Sequence, residues 1–147
     1  MNFMRGKVFL DTNIFVYSID TSPINAGKSV TARRIIKDRI EDGTGVISVQ
    51  VIQEFYQVAT TKIEVPLSTE EALEYLRYMA VLEVVIADFD FVQAAIKLHK
   101  KHHLSFWDGL ILQAAKHAAC SQCLTEDLQH GLKVDGLTVL NPFHTLA

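Results

Sequence analysis

Cysteine, proline and tryptophan are all scarce in this 147-residue chain, with two, three and one respectively. The two cysteines form one string, Cys120-Ser-Gln-Cys123, with no second pair and no histidine at ligand spacing, which argues against a zinc site. A redox motif of the thioredoxin kind would open a helix after a strand, whereas CSQC leads into an apolar strand, so both thiols are expected to be reduced and structural. No apolar run approaches the length of a membrane span and the N-terminus lacks a signal-peptide core, so a cytoplasmic protein is expected. Charge is not in excess either. A formal net charge of -3 offers no general attraction to nucleic acid, so any RNA contact must come from a local patch.

What is present is ordinary enough to build a core: 49% hydrophobic and 21% charged residues exclude disorder, and the length predicts one domain over residues 1–147. No repeat, low-complexity tract or linker interrupts it. Five short apolar runs read as strands, at 8–10, 45–48, 83–86, 123–125 and 137–140. Segments of helical period separate them. Val51, Ile52, Phe55, Val58 and Ala59 make one stripe, and Ala72, Leu73, Leu76, Met79 and Ala80 another. Ser68 and Glu71 have capping-box spacing, and a further helix is expected from about Asp88 to Lys101. The nearly apolar segment 106–119 predicts a helix packed on most sides, with Trp107 in the core. The alternation predicts a three-layer α/β/α fold around a central five-stranded parallel sheet.

Four acids stand where predicted strands end or helices begin: Asp11 in LDTN, Glu54 in SVQVIQEF, Asp108 in SFWDG and Asp127 in LTEDL. Each has a plainer reading. Asp11 could cap a helix, Ser105 and Asp108 have capping-box spacing, and Glu54 and Asp127 could be solvated surface acids. In a parallel sheet, however, ligands bind beyond the carboxyl ends of strands, and acids gathered there repel one another unless a cation lies between them. Hard oxygen donors suit Mg²⁺ or Mn²⁺, and such a site points to phosphodiester cleavage. Lys97, Lys100 and Lys101, with His102 and His103, form a basic cluster that could hold phosphates or merely complement a helix end. Arg33, Arg34, Lys37 and Arg39 read as a solvated helix face.

Taken in order, LDTNIFVYSID, SVQVIQEF, LSFWDGLILQAA, LTEDLQHG and the ending GLTVLNPF resemble the motifs of the PIN domain, nearest to the VapC-type toxins of toxin–antitoxin pairs. The resemblance implies a metal-dependent endoribonuclease. Asp11, Glu54, Asp108 and Asp127 would be its catalytic, Mg²⁺- or Mn²⁺-binding quartet. Thr12, Asn13, Ser48 and Thr125 would orient those acids, with Ser105 in support. It also implies an RNA substrate, a cognate antitoxin and a homodimer. Gly109, where relatives often carry alanine, is a mild departure. A non-catalytic RNA- or protein-binding PIN module is the alternative, and the complete quartet speaks against it. A haloacid-dehalogenase-type phosphoryl-transfer protein would need Asp-x-Asp where this chain has Asp11-Thr12-Asn13, and a receiver would need a lysine after the last strand.

Overall fold

The computed structural model describes residues 6–146. A six-stranded sheet lies between helices. Its strands are β1 (Lys7–Leu10), β2 (Gly45–Ser48), β3 (Glu83–Val85), β4 (Cys120–Leu124), β5 (Lys133–Val134) and β6 (Leu137–Leu140), in the spatial order β3-β2-β1-β4-β6-β5. The pairs β3–β2, β2–β1, β1–β4 and β4–β6 are parallel, so the five expected strands do form the parallel sheet. The sixth, β5, pairs antiparallel with β6 through Asp135-Gly136, where both residues have positive φ (48° and 86°). Asp-Gly is a favoured two-residue hairpin turn because both residues tolerate that conformation.

Among the described residues six α-helices connect and cover the sheet: α1 (Thr12–Ile19), α2 (Ala26–Asp42), α3 (Val49–Thr61), α4 (Thr69–Met79), α5 (Phe89–His102) and α6 (Phe106–His117). Burial of the strands on both faces explains their unbroken apolar runs. Val8, Phe9 and Leu10 are all buried, as are all four residues of β2. The core continues from Phe9, Leu10 and Ile47 into Ile14, Phe15, Val51, Phe55 and Leu112, none of them solvent-exposed. Ser68 and Glu71 form the expected reciprocal capping box of α4, and Asp88 caps α5 by accepting from the Phe91 N–H at 2.8 Å.

Cys120 and Cys123 are buried free thiols within β4, which begins three residues earlier than expected. Burial pushes the Cys120 thiol up to about 12 and Cys123 well above its ordinary range, so neither is a ready nucleophile. Gly109 proves more than a mild departure. A Cβ there would come within 2.7 Å of the His99 Cβ and 2.9 Å of the Ala95 carbonyl oxygen, because α5 and α6 cross at this point. Among the described residues no helix is long and apolar enough to cross a membrane.

Candidate active site

The chain runs from β1 outward to β2 and β3, then returns to place β4 on the other side of β1. The carboxyl ends of β1 and β4 therefore form the point where strand order reverses, the usual crevice of an open α/β sheet. Asp11 follows β1 directly, Asp127 lies in the loop after β4, Glu54 lies on α3, and Asp108 stands in the first turn of α6. All four line one cavity of about 490 Å³, together with Thr12, Asn13, Tyr17 and Trp107.

Local chemistry holds these acids in place. Asp11 is the N-cap of α1, its Oδ1 accepting from the Thr12 N–H at 2.7 Å. Its Oδ2 accepts from the Thr125 hydroxyl at 2.7 Å. The capping role and the cavity-facing role thus coexist in one carboxylate. Thr12 works twice, since its hydroxyl donates to Glu54 Oε1 at 2.9 Å. Asn13 donates from Nδ2 to Asp127 Oδ2 at 3.2 Å and to Thr125 Oγ1 at 3.3 Å, tying the first strand end to the loop after β4. Thr125, fully buried, also accepts from the Asp127 N–H at 3.0 Å.

Two of the expected supports act differently. Among the described residues no hydrogen bond joins Ser48 to any of the four acids. Ser48 caps α3 by accepting from the Val51 N–H and so fixes the helix that carries Glu54. Ser105 caps α6, accepting from the Asp108 N–H at 3.1 Å, while no hydrogen bond among the described residues engages the Asp108 carboxylate.

Electrostatically the site is unbalanced. Asp11 is only 5% exposed, and burial pushes its carboxyl up to about 6 despite the hydrogen bonds from Thr125 and Thr12 that pull it down. The charges of Asp127 and Glu54 add to the rise. Burial likewise raises Asp127, opposed by the Asn13 hydrogen bond and reinforced by the charges of Asp108 and Glu126. Among the described residues no lysine or arginine forms an ion pair with any of the four acids. Nor do three His, Cys, Asp or Glu side chains close into a ready-made ion cage. An all-oxygen donor set with a buried, unpaired carboxylate still fits Mg²⁺ or Mn²⁺, because a hydrated ion needs only one or two protein carboxylates directly.

The basic residues picked out by sequence lie elsewhere. Lys100 and Lys101 belong to the exposed last turn of α5, and neither they nor Lys97 line the cavity. The one lysine or arginine among its lining residues is Lys62, at the C-cap of α3. Nothing in the string around Lys62 marks it, since its position depends on where α3 stops. Trp107 also departs from expectation. It is 63% exposed at the start of α6, because the buried face of that helix is taken by Gly109, Ile111, Leu112, Ala114 and Ala115. Behind the site, Glu126 accepts from Tyr17 at 2.5 Å and from Lys28 at 2.6 Å, a three-residue contact that anchors the loop carrying Asp127.

Comparison with known proteins agrees with the fold. A toxin–antitoxin complex from Klebsiella pneumoniae superposes with a TM-score of 0.68 at 15% identity, covering 92% of this chain and 98% of that one. VapC20 of Mycobacterium tuberculosis, described as a sarcin-ricin-loop-cleaving toxin, gives 0.63 at 16% identity over 80% of this chain and 87% of its own. VapBC2 of Rickettsia felis, solved on a DNA fragment from its promoter, gives 0.62 at 20% identity, with 90% and 96% covered. At such identities the likeness is one of fold. A search of curated protein sequences returns no match. The profile of the PIN domain matches residues 8–132, and the chain belongs to the PIN domain family.

Proposed function

We propose that the chain is a divalent-metal-dependent endoribonuclease and the toxin of a toxin–antitoxin pair. The observation that carries the reading is the convergence of Asp11, Glu54, Asp108 and Asp127 on one cavity, with no cationic side chain among the described residues paired to them. Membership of the PIN family and the fold-level likeness to VapC proteins support the same conclusion.

In this reading the quartet would hold Mg²⁺ or Mn²⁺, which would supply charge neutralisation at the scissile phosphate and activate water for hydrolysis. The chain's own residues set the geometry. Thr12 and Thr125 fix the two oxygens of Asp11, and Thr12 also orients Glu54. Asn13 aligns Asp127. Lys62, at the cavity wall, is placed to meet a phosphate oxygen of the bound strand. The substrate is RNA, and the protein acts in the cytoplasm as a homodimer restrained by a cognate antitoxin. An arginine or lysine from such a partner would form a charge-assisted contact with the unpaired carboxylates and compete with the ion.

The test is cleavage of single-stranded RNA by the purified chain. Activity should appear with Mg²⁺ or Mn²⁺, vanish in EDTA, and be lost in Glu54→Gln and Asp108→Asn with the fold retained. Expression of the chain alone should arrest growth, and Asp108→Asn should relieve the arrest. Cleavage that survives EDTA or both variants would assign the activity to another site.

A further inference from the structure

Beside the acidic cavity lies a second hollow of about 430 Å³. Trp107 and Gln50 line both, so the two cavities share a wall. Gln50 Nε2 donates to the Trp107 carbonyl at 3.3 Å and links the start of α3 to the start of α6 across that shared wall. The two cavities differ sharply in chemistry. The first collects four carboxylates, while among the described residues no Asp, Glu, Lys or Arg lines the second. Its floor is apolar, from Val85, Phe91 and Phe106, and its polar groups are the neutral amides of Gln50 and Gln53 and the Ser48 hydroxyl. Phe106 meets Trp107 in an edge contact, with centroids 5.2 Å apart and planes at 64°, yet the indole stays 63% exposed.

We propose that Trp107 is the stacking platform for an unpaired nucleobase next to the scissile phosphate, with the neutral hollow as the base subsite. The proposal rests on the nuclease reading for its substrate. An uncharged hollow with an aromatic wall and amide groups suits a flat, apolar-faced ring with hydrogen-bonding edges, and it suits neither a phosphate nor a charged peptide side chain. Because Trp107 and Asp108 line the same cavity, a strand whose phosphate reaches the acids carries its neighbouring base past the indole. Stacking accepts any base, since every base has a π-face. Gln50 and Gln53, each with donors and an acceptor, supply whatever edge preference exists. Trp107 thus acts as a substrate-positioning residue.

Trp107 is the single tryptophan of the chain, so its emission reports on the surroundings of this one residue. Short single-stranded RNA titrated into the Asp11→Asn variant with Mg²⁺ should change that emission saturably. In cleavage assays Trp107→Ala should raise KM roughly 5- to 100-fold, the range for loss of one stacked base, while Trp107→Phe keeps most of the affinity. A series of oligonucleotides carrying one abasic nucleotide should contain one position that costs the wild type a similar factor and costs Trp107→Ala nothing further. Emission indifferent to RNA, or Trp107→Ala cleaving like the wild type, would overturn the proposal. So would a change in sedimentation of Trp107→Ala with cleavage intact, which would assign the hollow to a protein contact. If the wild type cleaves no RNA, the nuclease reading fails and the emission titration still decides whether a base stacks here.

Discussion

Replacing Asp11 with asparagine should make the metal-free protein more stable near neutral pH, although it removes a residue of the proposed site. Burial raises the Asp11 carboxyl from its ordinary 3.8 to about 6 in the folded state. At about 1.4 kcal/mol per pK unit, keeping it ionised costs the native state about 3 kcal/mol. Because the folded pKa is the higher one, the native state binds the proton more tightly. The penalty is therefore absent below about pH 4, grows as pH rises toward 6, and is complete above it. Asparagine removes the charge but not the need for hydrogen bonds. It can still accept from the Thr12 N–H, but its amide NH₂ meets Thr125 Oγ1, which already accepts from Asn13 and the Asp127 N–H. That lost bond costs about 1 kcal/mol. The net expectation is a gain of about 2 kcal/mol above pH 7, or about 4–8 °C in Tm for a chain of this size, turning into a small loss below pH 4. Urea and thermal unfolding by circular dichroism in EDTA across that range would measure it. A difference between variant and wild type that does not change with pH would refute the electrostatic argument. Saturating Mg²⁺ should then reverse the neutral-pH order, since an ion at a hundred times its Kd stabilises by about 2.7 kcal/mol only where it binds.

Three further outcomes follow from the packing. Gly109→Ala should destabilise by about 1–3 kcal/mol, because its methyl meets the Ala95 carbonyl and His99 where α5 and α6 cross, and denaturant midpoints would show it. Thr12→Val, which removes the hydroxyl donated to Glu54, should lower kcat about tenfold with little change in Tm, so equal losses of Tm and activity would mean a folding role instead. Glu126→Gln should cost about 1 kcal/mol by weakening the pair with Lys28, whose partners' side chains are 24% and 27% exposed, and added salt should shrink the difference.

The sequence announces three of the acids because each sits beside a local signal that survives without tertiary context, whereas Glu54 lies inside α3. Asp11 follows a three-residue apolar run, Asp108 falls three positions after a capping serine, and Thr125 and Asp127 follow the apolar stretch of β4. The same locality misleads at Trp107. Its apolar neighbours suggest the core, but the first turn of α6 presents that side chain outward while Ile111 and Leu112 fill the interior. Lys62 and the Lys28–Glu126–Tyr17 contact join residues far apart in the chain, and no spacing encodes them. The hairpin carrying β5 was not among the expected elements, although Asp135-Gly136 is its turn. Its two-residue strand is too short for alternation to mark. Gly109 reads as a small variation until the helix crossing shows that no side chain fits.

The most direct test of the central claim is a titration of Mn²⁺ into the metal-free protein at about pH 7.5, following the paramagnetic resonance signal of the free ion. The wild type should deplete that signal saturably, and Asp11→Asn and Asp108→Asn should each weaken the depletion at least tenfold. A wild type that leaves the signal untouched at millimolar Mn²⁺, or variants that bind the ion equally well, would contradict the assignment of Asp11, Glu54, Asp108 and Asp127 as a metal site.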